Sequence, residues 1–171
     1  SKMGLILDRR ISNVDTATLK GIDFAVNYQH DTDFGTLFYG VSGNYQTDFE
    51  LVQNGTAVDQ LDVNTSDLSI STHVGWSRDN INAKLTVKYS GGYDTDVAQL
   101  GQTEVDAFIV TDLFVGYDFD GGSYITDGLS LRFNVDNLFD EDPPIWRQNA
   151  NLSYSGFTLG RVYKLGLTKR F

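Results

Sequence analysis

Cysteine is absent from these 171 residues. No disulfide framework, thiolate nucleophile or cysteine-based metal site is therefore available. Proline is nearly absent, occurring only as Pro143 and Pro144, so long stretches remain free to donate to a β-ladder. Histidine is limited to His30 and His73, the first read in a short turn and the second in a strand. No His-x-x-x-His pair, nucleophile elbow or phosphate loop occurs. Basic residues number 13 against 23 acidic ones, for a formal net charge of −10. That balance argues against nucleic acid, which selects basic patches. It does not argue against a membrane, because acidic residues can sit in loops beyond it.

Long apolar runs are missing as well. No stretch approaches the ~18 consecutive apolar residues of a transmembrane helix. The run after Ser1-Lys2-Met3-Gly4 is too short for a signal peptide. A cytosolic protein, a chain whose signal has been removed and a piece of something longer all fit; the last is preferred. A mean hydropathy of −0.26 does not decide the solvent, because barrel strands carry a polar residue at every second position.

What is present is period-2 alternation, and it predicts an all-β fold of seven strands. The first, about 19–29, sets Ile22, Phe24, Val26 and Tyr28 against Asp23, Ala25, Asn27 and Gln29. The second, about 36–47, sets Leu37, Tyr39, Val41 and Tyr45 against Thr36, Ser42 and Asn44. The third, about 66–77, sets Leu68, Ile70, Val74 and Trp76 against Asp67, Ser69, Ser71 and His73. The fourth, about 80–90, sets Ile81, Ala83, Leu85, Val87 and Tyr89 against Asn82, Lys84, Thr86 and Lys88. The fifth, about 107–119, sets Leu113, Val115, Tyr117 and Phe119 against Asp112, Phe114 and Gly116. The sixth, about 129–137, sets Leu129, Leu131, Phe133 and Val135 against Ser130, Arg132, Asn134 and Asp136. The seventh, about 161–171, sets Tyr163, Leu165, Leu167 and Phe171 against Lys164, Gly166, Thr168 and Arg170. An eighth candidate, 4–11, alternates poorly.

Connections alternate between short (30–35, 77–79, 120–128) and long (48–65, 91–106, 138–160). That rhythm belongs to an up-and-down outer-membrane barrel with short periplasmic turns and long extracellular loops. Alternation alone leaves a soluble ligand-binding barrel or sandwich open, with its apolar face inward. The aromatic residues favour lipid. Tyr28, Tyr39, Trp76, Tyr117, Phe119 and Phe171 fall at the periplasmic strand ends of the apolar face. Tyr45, Tyr89 and Tyr163 fall near its extracellular ends, with Phe49 and Phe139 close by. Two aromatic belts around an aliphatic band suit a bilayer's two interfaces.

Three segments carry a family resemblance. Asn13-Val14-Asp15-Thr16-Ala17-Thr18-Leu19-Lys20-Gly21-Ile22-Asp23 looks like a lead into a late barrel strand. Val135-Asp136-Asn137-Leu138-Phe139-Asp140-Glu141-Asp142-Pro143-Pro144 looks like a penultimate strand and its turn. Gly160-Arg161-Val162-Tyr163 through Leu167-Thr168-Lys169-Arg170-Phe171 looks like a last strand with an aromatic end. In this order they resemble the C-terminal β-barrel region of TonB-dependent outer-membrane receptors. The resemblance implies an antiparallel transmembrane barrel segment over residues 1–171, a fragment of a larger barrel without its plug domain. It implies a place in the bacterial outer membrane and uptake of a nutrient such as a siderophore, carbohydrate or cofactor. It implies contact with outer-membrane lipid, with TonB only through the missing plug region, and with barrel assembly machinery that reads Tyr163, Leu165, Leu167 and Phe171. The small-molecule substrate is not legible. No enzyme activity, cofactor, metal site or nucleic-acid partner is expected.

Seven or eight strands are about a third of a 22-stranded plugged barrel. Eight could also close into a small self-contained barrel with a structural role, whereas an open sheet needs partners for its edges. Asn137 and Asp140 are turn formers and Pro143-Pro144 cannot continue a ladder, so this segment reads as a strand-ending device rather than a ligand site. A catalytic role for His73 with a neighbouring Ser is weaker than a polar wall. The loop acids (Asp59, Asp62; Asp94, Asp96; Asp140, Glu141, Asp142) are oxygen ligands of the type Ca²⁺ takes, without the spacing of a dedicated loop; solvated surface is preferred.

The apolar face generates a first expectation. Ile22, Phe24, Leu68, Ile70, Leu85, Val87, Leu131 and Leu165 form an uncovered band exceeding the few hundred Å² usual on a soluble monomer. The purified chain should need detergent or refolding. A folded, monodisperse monomer in plain buffer, seen by light scattering and circular dichroism, would overturn the lipid-facing assignment.

Overall fold

A chain with this alternation and almost no proline satisfies its backbone N–H and C=O groups by pairing neighbouring strands. The computed structural model describes residues 16–53, 55–61, 65–95, 101–123, 126–148, 151–154 and 159–170. It contains β1 (Thr16–Thr32), β2 (Gly35–Gln53), β3 (Thr56–Asp59), β4 (Leu68–Arg78), β5 (Ile81–Ser90) and β6 (Tyr93–Asp94). β7 (Glu104–Val105), β8 (Phe108–Asp118), β9 (Leu129–Asp136), β10 (Ile145–Gln148), β11 (Asn151–Tyr154) and β12 (Val162–Lys169) complete it. The main sheet runs β1-β2-β4-β5-β8-β9-β12, every neighbour antiparallel, with β3 added to the far end of β2.

All seven expected strands are present. The candidate eighth, 4–11, lies outside the described residues. β1 and β12 bound the sheet and are not paired with each other, so among the described residues it is open. Two small hairpins, β6–β7 and β10–β11, occupy stretches that read as loops. Short turns join β1 to β2 through Asp33-Phe34 and β4 to β5 through Asp79-Asn80. Asp79 takes a left-handed φ of 48° there, which aspartate tolerates better than most residues.

Register carries the side-chain pattern across the whole sheet. One hydrogen-bonded row runs Tyr28, Tyr39, Val74, Leu85, Leu113, Val135, Tyr163. Directly paired residues share a face, so the apolar positions of all seven strands lie on one side. That side is uncovered: Leu165 is 73% exposed, Leu167 68% and Val26 63%. A sheet normally buries one face against another layer, and here no second layer packs on it among the described residues.

β1 and β2 run further than alternation predicts, because their register shifts between Lys20 and Gly21. Lys20 pairs with Asp48 and Gly21 with Gln46, leaving Thr47 as an extra residue, a β-bulge. The apolar pattern changes phase at that point, and the reading from sequence stops with it.

Two glycines are read best from their neighbours. The Phe38 ring lies over Gly75, and the Phe24 ring over Gly43, each occupying the space a Cβ would take. Each ring covers backbone that its paired glycine leaves bare. Gly75→Ala should therefore cost about 1–3 kcal/mol through overpacking. Combined with Phe38→Ala it should cost less than the two changes summed. Denaturant unfolding of the membrane-inserted protein measures both, and full additivity would remove the ring–glycine contact from the account.

Candidate functional site

The face opposite the apolar one is polar and largely self-neutralised. Lys88 reaches Asp112 at 2.6 Å, Arg132 reaches Asp118 at 2.6 Å, and Lys164 pairs with Asp136. Asp23 accepts a hydrogen bond from Asn44 across the β1–β2 ladder. His73 lies on this face, its ring 6.3 Å from that of Phe38 and over Gly40. His30, expected in a turn, lies within β1 and pairs with Leu37 on the apolar face. The two histidines thus sit on opposite sides of the sheet. Among the described residues no group of three His, Asp or Glu side chains converges for a metal.

Two of the acidic loop residues hold backbone N–H groups. Asp59 accepts the Leu61 N–H at 3.0 Å. Asp140 accepts the Arg161 N–H at 2.7 Å. Asp62 and Asp96 lie outside the described residues.

The expected aromatic positions separate to the two ends of the apolar face. At the short-turn end, Tyr28 and Tyr39 are direct partners with stacked rings 6.5 Å apart. Trp76 lies two residues nearer the turn and donates its indole N–H to the Phe34 carbonyl at 3.0 Å. Tyr117 and Phe119 meet edge to face at 4.6 Å. At the long-loop end lie Tyr45, Tyr89 and Tyr163, the last stacked on Phe133 at 6.4 Å. Leu165 and Leu167 continue the apolar face along β12. Phe171 lies outside the described residues.

Phe49 departs from the expectation. Beyond the bulge Leu19 pairs with Phe49, Ala17 with Leu51, and Leu51 with Val58. These residues share the face of Gly21 and Asp23, so the apolar side has moved to the polar face of the sheet. The opposite side of the same extension carries Thr18, Lys20, Asp48, Glu50 and Asp59. Lys20 and Asp48 pair at 2.5 Å, and that hydrogen bond, reinforced by the carboxylate charge, holds the lysine above its ordinary pKa. The signal was legible in principle: the apolar phase jumps from Leu19 to Ile22 instead of keeping even spacing.

Asn137 ends β9 by a device that sequence reading named only as a turn. It is 1% exposed and left-handed, with φ 52°. Its side chain donates to the Glu141 carbonyl and accepts from the Glu141 N–H, both at 2.9 Å. Its own N–H donates to Asp112 at 3.0 Å. Asp140 repeats the left-handed conformation at φ 61°, and Pro143 is buried.

Against known proteins, a family model described as "TonB dependent receptor-like, beta-barrel" matches residues 5–138. The chain belongs to this family. Its relatives include the ferric aerobactin receptor of Escherichia coli, 34% identical over 152 residues, covering 86% of this chain and 19% of the relative. The rhizobactin receptor of Rhizobium meliloti is 28% identical over 109 residues, 58% of this chain and 13% of the relative. The vitamin B12 transporter BtuB of Photobacterium profundum is 26% identical over 152 residues, 89% of this chain and 22% of the relative. The chain thus spans about a fifth of the length of the first of these. No solved structure matches it. Within a TonB-dependent receptor barrel, antiparallel strands with short and long connections in turn are what the main sheet supplies.

The Asn137 clamp makes a direct prediction. Asn137→Ala leaves the Glu141 N–H and C=O without their partners, a cost of about 1–3 kcal/mol. Asn137→Gly keeps the left-handed backbone and should lose the same two bonds. Faster hydrogen exchange of the Glu141 amide in both variants is expected; unchanged exchange would show that the clamp does not hold the turn.

Proposed function

We propose that this chain is the C-terminal part of the barrel wall of an outer-membrane TonB-dependent receptor. That receptor takes up a small-molecule nutrient of the siderophore, carbohydrate or cofactor type, and its plug region lies outside these 171 residues. Family members are transport receptors of the bacterial outer membrane. The relatives named for aerobactin, rhizobactin and vitamin B12 support a small-molecule cargo, and nothing favours enzyme chemistry. TonB is contacted through the plug, lipid through the apolar face, and the assembly machinery through Tyr163, Leu165 and Leu167 with Phe171.

One observation carries the membrane reading: the two aromatic sets slope across the sheet together. On β2, Tyr45 stands six residues beyond Tyr39, whereas on β12 Tyr163 lies in the same row as Tyr39. The long-loop set therefore descends ~20 Å along the strands while crossing ~24 Å of sheet, using ordinary strand spacings. At the short-turn end, Tyr117 lies four residues nearer the turn than Leu113, which shares the Tyr39 row. That set descends ~13 Å over ~14 Å of sheet. Both slopes correspond to strands tilted by about 40° to a flat layer, within the ~35–45° of outer-membrane barrels. Aromatics chosen only for strand propensity would not keep two parallel lines. The sheet, open among the described residues, disfavours a small closed barrel, and the apolar face, uncovered among them, disfavours a soluble one.

Leu85 lies midway between the two lines, next to Thr86 on the polar face. Leu85→Arg should cost on the order of 2–4 kcal/mol in a bilayer, the midplane penalty, and Thr86→Arg far less. A soluble barrel with an apolar interior would also punish the first change, so accessibility decides. Spin labels at 85 should respond to lipid-soluble quenchers and labels at 86 to aqueous ones. The reverse pattern would invert inside and outside.

A further inference from the structure

Arg78 departs from the pattern of its face. Lys84, Lys88, Arg132 and Lys164 stand on the polar wall, whereas Arg78 continues the outward line of Val74 and Trp76 along β4. The Trp76 indole and the Arg78 Cβ both lie where a side chain on Gly35 would stand, so the two share a side. Arg78 is two residues beyond Trp76 toward the turn. That places it past the short-turn aromatic line, where lipid headgroups begin.

Its ion pair is loose. Asp79 lies 3.6 Å from Nε, beyond hydrogen-bond range, and both side chains are more than half exposed. Such a pair contributes little by itself, and it leaves both charges open to a ligand carrying the opposite pair. The neighbouring turn adds Asp33, while Asp31 accepts the Thr36 hydroxyl on the polar side. A headgroup with only negative charge would therefore meet repulsion beside this guanidinium.

Four residues back along β4, about 13 Å of strand, the outward face dips. An apolar groove of about 340 Å³ opens between Tyr28 and Tyr39 on one side and Leu85 on the other, with Thr72 and Val74 between them. Thr72 donates its hydroxyl to the Gly40 carbonyl at 3.1 Å, so that donor needs nothing from the groove. In a bilayer hydrocarbon fills such a dip, and packing contacts decide which chain rests there. The headgroup is then selected by the charges at the turn. A guanidinium can hold a phosphate through two parallel N–H donors. A carboxylate beside it accepts from a primary ammonium, whereas a quaternary ammonium has no N–H to give.

We propose that Arg78 and Asp79, with the groove above them, seat one aminophospholipid of the periplasmic leaflet. Its phosphate rests on Arg78, its primary ammonium on Asp79, and one acyl chain runs along Val74 and Thr72. The inference rests on the barrel-wall reading above.

The test uses the full-length receptor, solubilised from outer membranes and stripped of lipid. It is mixed with equal amounts of phosphatidylethanolamine, phosphatidylcholine and phosphatidylglycerol carrying the same acyl chains, and bound lipid is read by native mass spectrometry. Phosphatidylethanolamine should be retained best. Arg78→Gln should weaken its retention about tenfold, the loss of a charge-assisted hydrogen bond. Asp79→Asn should abolish the preference over phosphatidylcholine. Val74→Trp, which fills the groove, should lower all three lipids alike. Heat-modifiable mobility shows that each variant is folded. Equal retention of the three lipids by the unaltered receptor overturns the proposal, as does a preference for phosphatidylglycerol. So does a phosphatidylethanolamine preference that survives Arg78→Gln or Asp79→Asn. The barrel-wall reading fails separately, if the receptor is missing from the outer-membrane fraction or lipid-phase labels reach position 86.

Discussion

In hydrocarbon a backbone N–H or C=O has no water to turn to, so a spanning strand must pair along its whole length. Pairing fixes register, and register fixes which residues share a face. A slip of one residue at any interface would carry a strand's aliphatic side chains to the polar wall and its charges into lipid. The six interfaces of the main sheet avoid this. From Tyr28–Tyr39 to Val135–Tyr163, apolar positions meet apolar positions. Where the register does shift, between Lys20 and Gly21, the chemistry shifts too, and Leu19, Phe49 and Leu51 move to the other side. On the membrane reading, the bulge marks where the outward face stops meeting lipid and starts meeting water.

Charge on the polar wall obeys the same geometry. Asp112 and Asp136 stand on neighbouring strands and would repel each other if left alone. Lys88 and Lys164 approach them from either side, and Asp112 also receives the Asn137 N–H. The strand-ending turn is thereby tied to the wall's electrostatics: Asn137 closes β9 with its side chain and feeds its backbone donor to a wall carboxylate. Lys84, directly paired with Gly75 and Phe114, makes no ion pair among the described residues.

Most of the sheet was legible because a strand with one apolar face and one polar face writes its period into composition. The pattern weakened for three physical reasons. In β8, Phe108, Val110 and Phe114 put apolar groups on the polar side, so contrast between faces is low. In the extension beyond the bulge the apolar phase reverses, so Thr16 to Leu19 and the end of β2 fall out of step with their own strands. The hairpins β6–β7 and β10–β11 pair over two and four residues, too few for any period to emerge. Phe49 was misassigned by the same reversal. The ion pairs of the polar wall could not be seen from sequence, because each depends on which residue a neighbouring strand brings diagonally alongside.

The open edges carry the remaining constraint. β1 presents a side of 17 residues and β12 a side of eight, each with backbone groups lacking a ladder partner in the main sheet. In water such edges invite pairing with other chains; in lipid each unsatisfied group costs several kcal/mol. Joining β1 directly to β12 would have to bend seven strands into a tight cylinder. The polar wall would then be the interior, with Lys84, Lys88, Arg132 and Lys164 crowded where a small barrel holds packed side chains. Carrying the sheet onward through further strands keeps the charges in a wide, wet interior and satisfies both edges. On the membrane reading the described sheet is therefore complete only as an arc of a larger ring, and its stability depends on strands beyond the described ones.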